Sequence, residues 1–366
     1  MPQIYELFGY PLSVKTPIAE ETRHTAHCPF MGGPCDGGGN RYSSQVDLTR
    51  NELLKTYFGE RRVVAVGVCS IQLREDETPW VVCPRRLLIL GSKKAFKRAY
   101  QMNVEAELVR ILGFPSGTRL GVWSEVKLKF AETRQGLTKT FDYTFDYIVM
   151  PIASVSQSQL ATFFAPWALW RKVFVQGGYT IIRHNDEDFV EDCPVGIPGI
   201  IEIMTSSTSG GNKAQRTTIA QAFEDALLAR PHNAPSINKR QVWARMVSQL
   251  IVKSEVALHW GGKAVWLVQD TLADYISAST ALDLRQFITT HSSEVNMLSF
   301  SYGSQQQNPT DIIELKDHQL YAGPIATGIR SEPSFQDMIR TPIKPDLQQL
   351  LKRLAESRPI NEIVVP

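Results

Sequence analysis

The segment Gly199-Ile200-Ile201-Glu202-Ile203-Met204-Thr205 reads as a short, tight strand with one carboxylate set among isoleucines. β-Branched residues suit a pleated, buried surface. A lone charge in such a strand is costly unless it is paired or holds a cation. A second segment repeats the pattern, with Asp146 standing between Phe145 and Tyr147-Ile148. Two carboxylates at the ends of neighbouring strands are donors that a hard divalent ion takes, because Mg²⁺ accepts one or two carboxylates and fills its shell with water and phosphate oxygens. Such an ion polarises a phosphodiester and generates hydroxide from bound water. The plainer alternative is that Asp146 and Glu202 face solvent at a sheet edge, or pair with Lys127 and Lys129.

Asp146 belongs to an expected hairpin. Val122, Val126, Leu128 and Phe130 alternate with Trp123, Glu125, Lys127 and Lys129, and after a turn near Gln135-Gly136, Phe141, Tyr143, Phe145 and Tyr147 alternate with Asp142, Thr144 and Asp146. Period 2 on both arms gives one apolar and one polar face. Arg62 to Leu73 and Trp80 to Leu90 predict a strand pair, and Lys93 to Leu112 a helix with its basic residues crowded at the start, where they could contact phosphate. Residues 151–195 read as an insertion: a short helix over Ser158 to Phe174, a strand, and the acidic run Asp186-Glu187-Asp188 in a solvated loop. Val242 to His259 predicts a long buried helix, Ala264 to Val268 a strand, and residues 270–291 further helix. Val295 to Tyr302 and Ile312 to Tyr321 predict late strands, and Leu347, Leu350, Leu351 and Leu354 a terminal amphipathic helix. The mixture, without strict alternation, indicates an α/β sheet with helices on both sides.

The chain has 366 residues, with 39 Lys+Arg against 37 Asp+Glu. A net charge of +2 argues against a histone-like polycation and an acidic tail, and leaves room for a basic face. No apolar run reaches the roughly 18 residues of a membrane span, and the start lacks a signal-peptide pattern. The expectation is a cytosolic protein with no membrane partner.

Five cysteines, an odd number, with no export signal make a disulfide framework improbable. Cys28 and Cys35 flank a Gly/Pro-rich loop over residues 28–42 that needs a staple, and Cys69 and Cys83 sit in Val-rich strands. Four thiolates suffice for a closed tetrahedral site, usually zinc, although iron also suits tetrahedral sulfur. Equally, Cys69 and Cys83 serve as small buried hydrophobes. His24 and His27 stand nearby as substitute ligands, and Cys193 is read as structural.

Taken in order, these segments resemble the NotI-type restriction endonucleases of the PD-(D/E)xK nuclease superfamily. The likeness runs through Cys28-Pro29-Phe30, Cys35, Val68-Cys69, Trp80-Val81-Val82-Cys83-Pro84 with Arg86, Phe145-Asp146-Tyr147, Gly199 to Thr205, and the long helix at 242–262. The resemblance implies a nuclease core over 93–366, with the 151–195 insertion, behind an N-terminal four-cysteine lobe over 1–92. It implies a homodimeric, bacterial, cytoplasmic Type II enzyme cutting double-stranded DNA at a fixed sequence. The ends carry 5′-phosphate and 3′-hydroxyl, and a cognate DNA methyltransferase protects host sites. Asp146 and Glu202 look like Mg²⁺ ligands with the carbonyl of Ile203, and Cys28, Cys35, Cys69 and Cys83 look like ligands of a structural iron.

One motif position departs from the family. Met204 stands where the superfamily has Lys and this family usually Gln, and a thioether can neither donate a hydrogen bond nor orient water strongly. The polar function has therefore moved, with Lys213 after the strand and Lys127 on the hairpin as candidates, or the protein is a degenerate, metal-stabilised DNA-binding module. Arg41 and Lys213, at glycine-rich loops, are the candidates for base reading.

Overall fold

The computed structural model describes residues 1–38, 44–90, 97–134, 137–162, 164–302, 309–327 and 332–339. Arg41, Lys93, Lys94, the Gln135-Gly136 turn and the expected C-terminal helix lie outside these residues.

The chain opens with β1 (Gln3–Leu7), β2 (Tyr10–Pro11) and helix α1 (Pro17–Thr25). Thr16 caps α1 by accepting the Ala19 N–H, and Pro17 sits where a missing N–H costs nothing. Two short strands, β3 (His27–Cys28) and β4 (Gly33–Pro34), pair across the first cysteine loop. Next come β5 (Gln45–Asp47), α2 (Glu52–Phe58) and β6 (Val63–Ala65). β7 (Val68–Gln72) and β8 (Trp80–Val81) complete an antiparallel sheet of order β2-β1-β7-β8. The strand expected over 80–90 stops at Val81, because Pro84 opens the single turn α3 (Pro84–Leu87).

Helix α4 spans Ala99–Leu112, so Lys97 and Arg98 precede it. The expected hairpin is present as β9 (Leu120–Arg134) and β10 (Leu137–Ser156), in one register from Leu137 opposite Arg134 to Pro151 opposite Leu120, with the pairing skipped at Asp146 and Glu125. The 151–195 stretch extends this sheet. The helix expected over Ser158 to Phe174 is instead two, α5 (Gln157–Leu160) and α6 (Trp167–Gln176), with Pro166 as the N-cap of the second. Hairpin β11 (Ile181–His184) and β12 (Glu187–Pro194) then lies back on the end of β10. Of the acidic run only Asp186 stays in a solvated turn: Glu187 and Asp188 open β12, and buried Asp188 accepts from Trp167 Nε1 at 3.1 Å and Arg171 Nε at 3.0 Å. Cys193 is fully buried in the small apolar cluster of this extension.

The rest comprises β13 (Gly199–Met204), α7 (Ile219–Leu227), α8 (Lys239–His259), β14 (Lys263–Gln269), α9 (Asp270–Ser279), β15 (Val295–Ser301) and β16 (Lys316–Gly323). Helix over 270–291 is limited to α9, and the strand expected from Ile312 begins at Lys316. The main sheet runs β11-β12-β10-β13-β14-β15-β16, with β9 also on β10. β13, β14 and β15 are parallel, and β10 and β16 run against them. This is a mixed α/β fold with a mixed sheet flanked by helices. Alternation on β14 explains the layers: Trp266 and Val268 share a core with α8 and α9, while Val265 and Leu267 share one with α4. From α4 to β14 the elements run α4-β9-β10-α5-α6-β11-β12-β13-α7-α8-β14, and the stretch read as an insertion from 151 begins inside β10. No helix among the described residues is long and apolar enough to cross a membrane.

Both cores cross the chain division at 92/93. One joins Leu7 and Phe8 to Phe223 and Trp266, and the other joins Cys28, Cys69 and Cys83 to Val104 and Leu298. A buried ion pair ties the same parts together. Arg86 Nη2 donates to Glu6 Oε1 at 3.0 Å and to the Ile313 carbonyl at 2.6 Å, and Nη1 donates to Tyr100 Oη at 2.7 Å. Ser70 and Tyr302 hydroxyls donate to Glu6 Oε2 at 2.9 and 3.0 Å.

Candidate catalytic cavity and cysteine cluster

β10 and β13 pair antiparallel through Tyr147–Ile201, Ile148–Ile200 and Val149–Gly199. One step further, that register sets Asp146 opposite Glu202. There the two carboxylates take over from the backbone ladder. Glu202 Oε1 accepts the Asp146 N–H at 3.3 Å, and Asp146 Oδ2 accepts the Ile203 N–H at 2.9 Å. The sequence expectation of two carboxylates on neighbouring strands thus has a definite geometry.

They open onto a cavity of about 690 Å³ lined also by Arg85, Lys127, Met204 and the α8 face bearing Arg245, Gln249 and Lys253. Glu125 lines it too, with a positive φ of 52° at the position that the register sets opposite Asp146. This non-glycine residue in the left-handed region marks local backbone strain at the cavity edge.

The decisive neighbour is Lys253. Its Nζ lies 2.6 Å from Glu202 Oε2, both side chains are buried, and the ammonium stands over the rings of Phe145 and Trp266 at 5.6 and 5.7 Å. α8 forms because Asn238 caps the Gln241 N–H and because Val242, Met246, Leu250 and Ala257 make an apolar stripe at helical spacing. Lys253 falls in that stripe, so helical period drives its charge onto the sheet. The helix then turns sharply at Gly261-Gly262. A Cβ on Gly262 would lie 1.9 Å from the Pro198 carbonyl oxygen, so glycine there lets α8 end against the start of β13.

Burial, and then the neighbouring Asp146 charge, push the Glu202 carboxyl up to about 8 against the relief supplied by Lys253. Burial likewise raises Asp146, partly offset by the Ile203 N–H and by Lys253. Two carboxylates that resist ionising together are relieved by a cation between them. The pair and the Ile203 carbonyl therefore fit a hard divalent ion by donor chemistry. Among the described residues, no three His, Cys, Asp or Glu side chains converge as a bound ion would hold them. A Mg²⁺ site of two carboxylates, a carbonyl and waters does not require three.

Lys213 is exposed in the turn before α7 and is not among the residues lining the cavity, so the structure does not bring it to the acidic pair. Lys127 does line the cavity, exposed and opposite Thr144 in the hairpin register. The described basic residues ahead of α4 are engaged with carboxylates: Lys97 with Glu105, and Arg98 with Glu314 at 2.7 Å and Asp311 at 3.5 Å. Met204 packs against the main core, and also borders the cavity.

The four N-terminal cysteines share one neighbourhood at the other wall. All are free thiols; Cys28, Cys69 and Cys83 are buried and Cys35 half-buried. Two sulfurs accept from the backbone, Cys35 from Gly37 at 3.4 Å and Cys69 from Gly9 at 3.2 Å, and neighbouring backbone N–H groups act to lower the Cys28 and Cys83 thiols. Burial, then the Cys83 charge, push the Cys28 thiol up to about 12 and raise Cys35 in the same way. The Cys69 thiol donates to Cys83, which raises the first and lowers the second. Amide donors aimed at sulfur favour thiolate, the form that binds a soft metal. Among the described residues the four cysteines do not form a group that could hold a metal ion as they stand, although thiolate is the donor such a centre takes. His24 stacks instead on Tyr57, with ring centroids 4.0 Å apart.

No protein-family model, curated protein or solved structure matches this chain.

Proposed function

We propose that the chain is a Mg²⁺-dependent, sequence-specific double-stranded DNA endonuclease of the NotI-like, PD-(D/E)xK kind, leaving 5′-phosphate and 3′-hydroxyl ends. The observation that carries this reading is Lys253 on Glu202, beside Asp146, at the mouth of a cavity with further cationic groups. The lysine that the motif lacks at Met204 reaches the same carboxylate from α8. The lining of the cavity also supports the reading, since both acidic residues and the α8 lysine border it.

In this mechanism Asp146, Glu202 and the Ile203 carbonyl hold Mg²⁺. Bound there, the ion supplies Lewis-acid polarisation and an acidified water. Lys253 orients Glu202 and lowers the cost of ionising it, which a bound cation would complete. Lys127 and Arg245, both exposed cations on its lining, attract the phosphate backbone. Cys28, Cys35, Cys69 and Cys83 hold a structural iron, or zinc, that fixes the N-terminal loops. The enzyme acts as a homodimer, because cutting a duplex needs two such cavities, and works beside a methyltransferase that protects host sites.

Met204 motivates a second reading, a DNA-binding protein that has lost its chemistry. One experiment separates the two: digestion of unmethylated plasmid and genomic DNA with Mg²⁺. Discrete fragments, abolished by Asp146→Ala or Glu202→Ala, support the nuclease. Site-specific binding without cutting under any divalent metal supports the degenerate module. An iron analysis with an absorbance spectrum decides the metal of the cysteine cluster.

A further inference from the structure

Arg85 and Arg86 are consecutive in α3 and have opposite surroundings. Arg86 is wholly buried and its guanidinium is taken up by Glu6, Tyr100 and the Ile313 carbonyl. Arg85 keeps 23% of its side chain exposed, and it lines the cavity of Asp146 and Glu202. Its Nε donates to Asp36 Oδ2 at 3.2 Å and its Nη1 to Tyr147 Oη at 3.4 Å. A guanidinium has five N–H donors in a fork that matches phosphate oxygens. Among the described residues no other side-chain or carbonyl acceptor takes the rest.

The same residue is anchored to the cysteine cluster from two sides. It stands in the turn that Cys83 N-caps, two residues after that cysteine, and its side-chain partner Asp36 directly follows Cys35. Gly38, two residues on from Asp36, lines the cavity beside Arg85, and a Cβ there would stand 3.7 Å from Cys83 Sγ. The cysteine loops are thus a wall of the candidate catalytic cavity, as well as a staple for the lobe.

We propose that Arg85 grips a backbone phosphate of the nucleic acid bound in this cavity, and that the four-cysteine cluster sets where its guanidinium stands. The inference rests on the nuclease reading. In the absence of substrate, Asp36 and Tyr147 hold the fork in place. With the duplex bound, the unused N–H donors meet the non-bridging oxygens.

The test is equilibrium binding of a fluorescein-labelled, mixed-sequence duplex to the full chain without divalent metal, across about 50 to 200 mM salt. A lost phosphate contact lowers the slope of log K against log salt by about one, a change that mere loosening of the fold does not produce. Arg85→Gln is expected to lose that unit and to cut about a hundredfold more slowly in Mg²⁺. Arg85→Lys is expected to keep the slope, because the charge remains. Cys35→Ser is expected to lose the same unit as Arg85→Gln. An unchanged slope in Arg85→Gln overturns the phosphate contact, and an unchanged slope in Cys35→Ser overturns its dependence on the cluster. Wild-type chain that neither binds nor cuts duplex overturns the nuclease reading itself, and this inference with it.

Discussion

Two buried ion pairs, Arg86–Glu6 and Lys253–Glu202, use similar chemistry for different ends. Around Glu6 every partner closes in: Arg86, Ser70 and Tyr302 all donate to it, and both side chains are fully buried. Around Glu202 the shell is incomplete. One oxygen meets Lys253, the other meets a backbone N–H at 3.3 Å, and Asp146 stands beside both at an open cavity. A saturated pair fixes a fold and has nothing left to offer a ligand. An unsaturated pair with a like charge beside it stores electrostatic cost that a cation can relieve.

The sharpest way to break this contrast is to neutralise each pair. Asp146→Asn and Glu202→Gln should each slow DNA cutting by at least about 10³-fold in a plasmid assay. The urea midpoint should be nearly unchanged in the first and should fall in the second by less than for the enclosed pair, because Lys253 keeps an open cavity beside it. Glu6→Ala or Arg86→Ala should do the reverse, because removing one partner of an enclosed pair leaves an uncompensated charge. Each should cost roughly 3–5 kcal/mol in urea unfolding. If Glu202→Gln unfolds the protein as severely as Glu6→Ala does, the distinction between the two pairs fails.

Lys253→Met comes next. It should fold and bind duplex, yet cut about a hundredfold more slowly, as for loss of one electrostatic donor. Cutting at the wild-type rate would remove Lys253 from the mechanism.

The pH dependence is smaller and has a definite sign. Glu202 titrates near 8 in the folded chain, against 4.5 as its ordinary value. Between those values the folded state binds more protons than the unfolded one, so stability falls as pH rises. Without divalent metal the urea midpoint should therefore decline from about pH 4.5 to about pH 8 through this group, and Mg²⁺ should restore it most at the alkaline end. Mg²⁺ that stabilises equally at both ends would contradict the assignment of the carboxylates. The smallest effect expected is that of Met204→Gln, less than about tenfold in cutting, because Lys253 already serves Glu202. A rise of several hundredfold would show instead that the site is impaired at position 204.

Much of this was legible in the sequence because it is local. Alternation fixed the β9–β10 hairpin, and apolar strands with single carboxylates marked Asp146 and Glu202 as residues needing partners. Lys253 escaped for a physical reason. It stands 51 positions beyond Glu202, and proximity along the chain favoured Lys213, which the turn after β13 carries out to solvent. The signal was present all the same: a lysine at a stripe position of an otherwise apolar helix face must have a counter-charge on the sheet that it covers. The basic residues before α4 misled in the opposite sense. Of the two described ones, Arg98 meets Glu314 and Asp311 far along the chain and Lys97 meets Glu105 within α4, so both are engaged with carboxylates of the chain itself. Asp188 shows the same limit, since only the return of β12 onto the α6 side reveals Trp167 and Arg171 as its donors.

The central claim is that Asp146, Glu202 and Lys253 form one phosphodiester-cleaving site. It is tested most directly by incubating unmethylated DNA with Mg²⁺ and sequencing the ends produced by wild type, Asp146→Asn and Lys253→Met. The account predicts 5′-phosphate ends at one recurring sequence for wild type, none for Asp146→Asn, and the same ends at a much lower rate for Lys253→Met. Ends at that sequence from Asp146→Asn, or no cutting by wild type with any divalent metal, would contradict it.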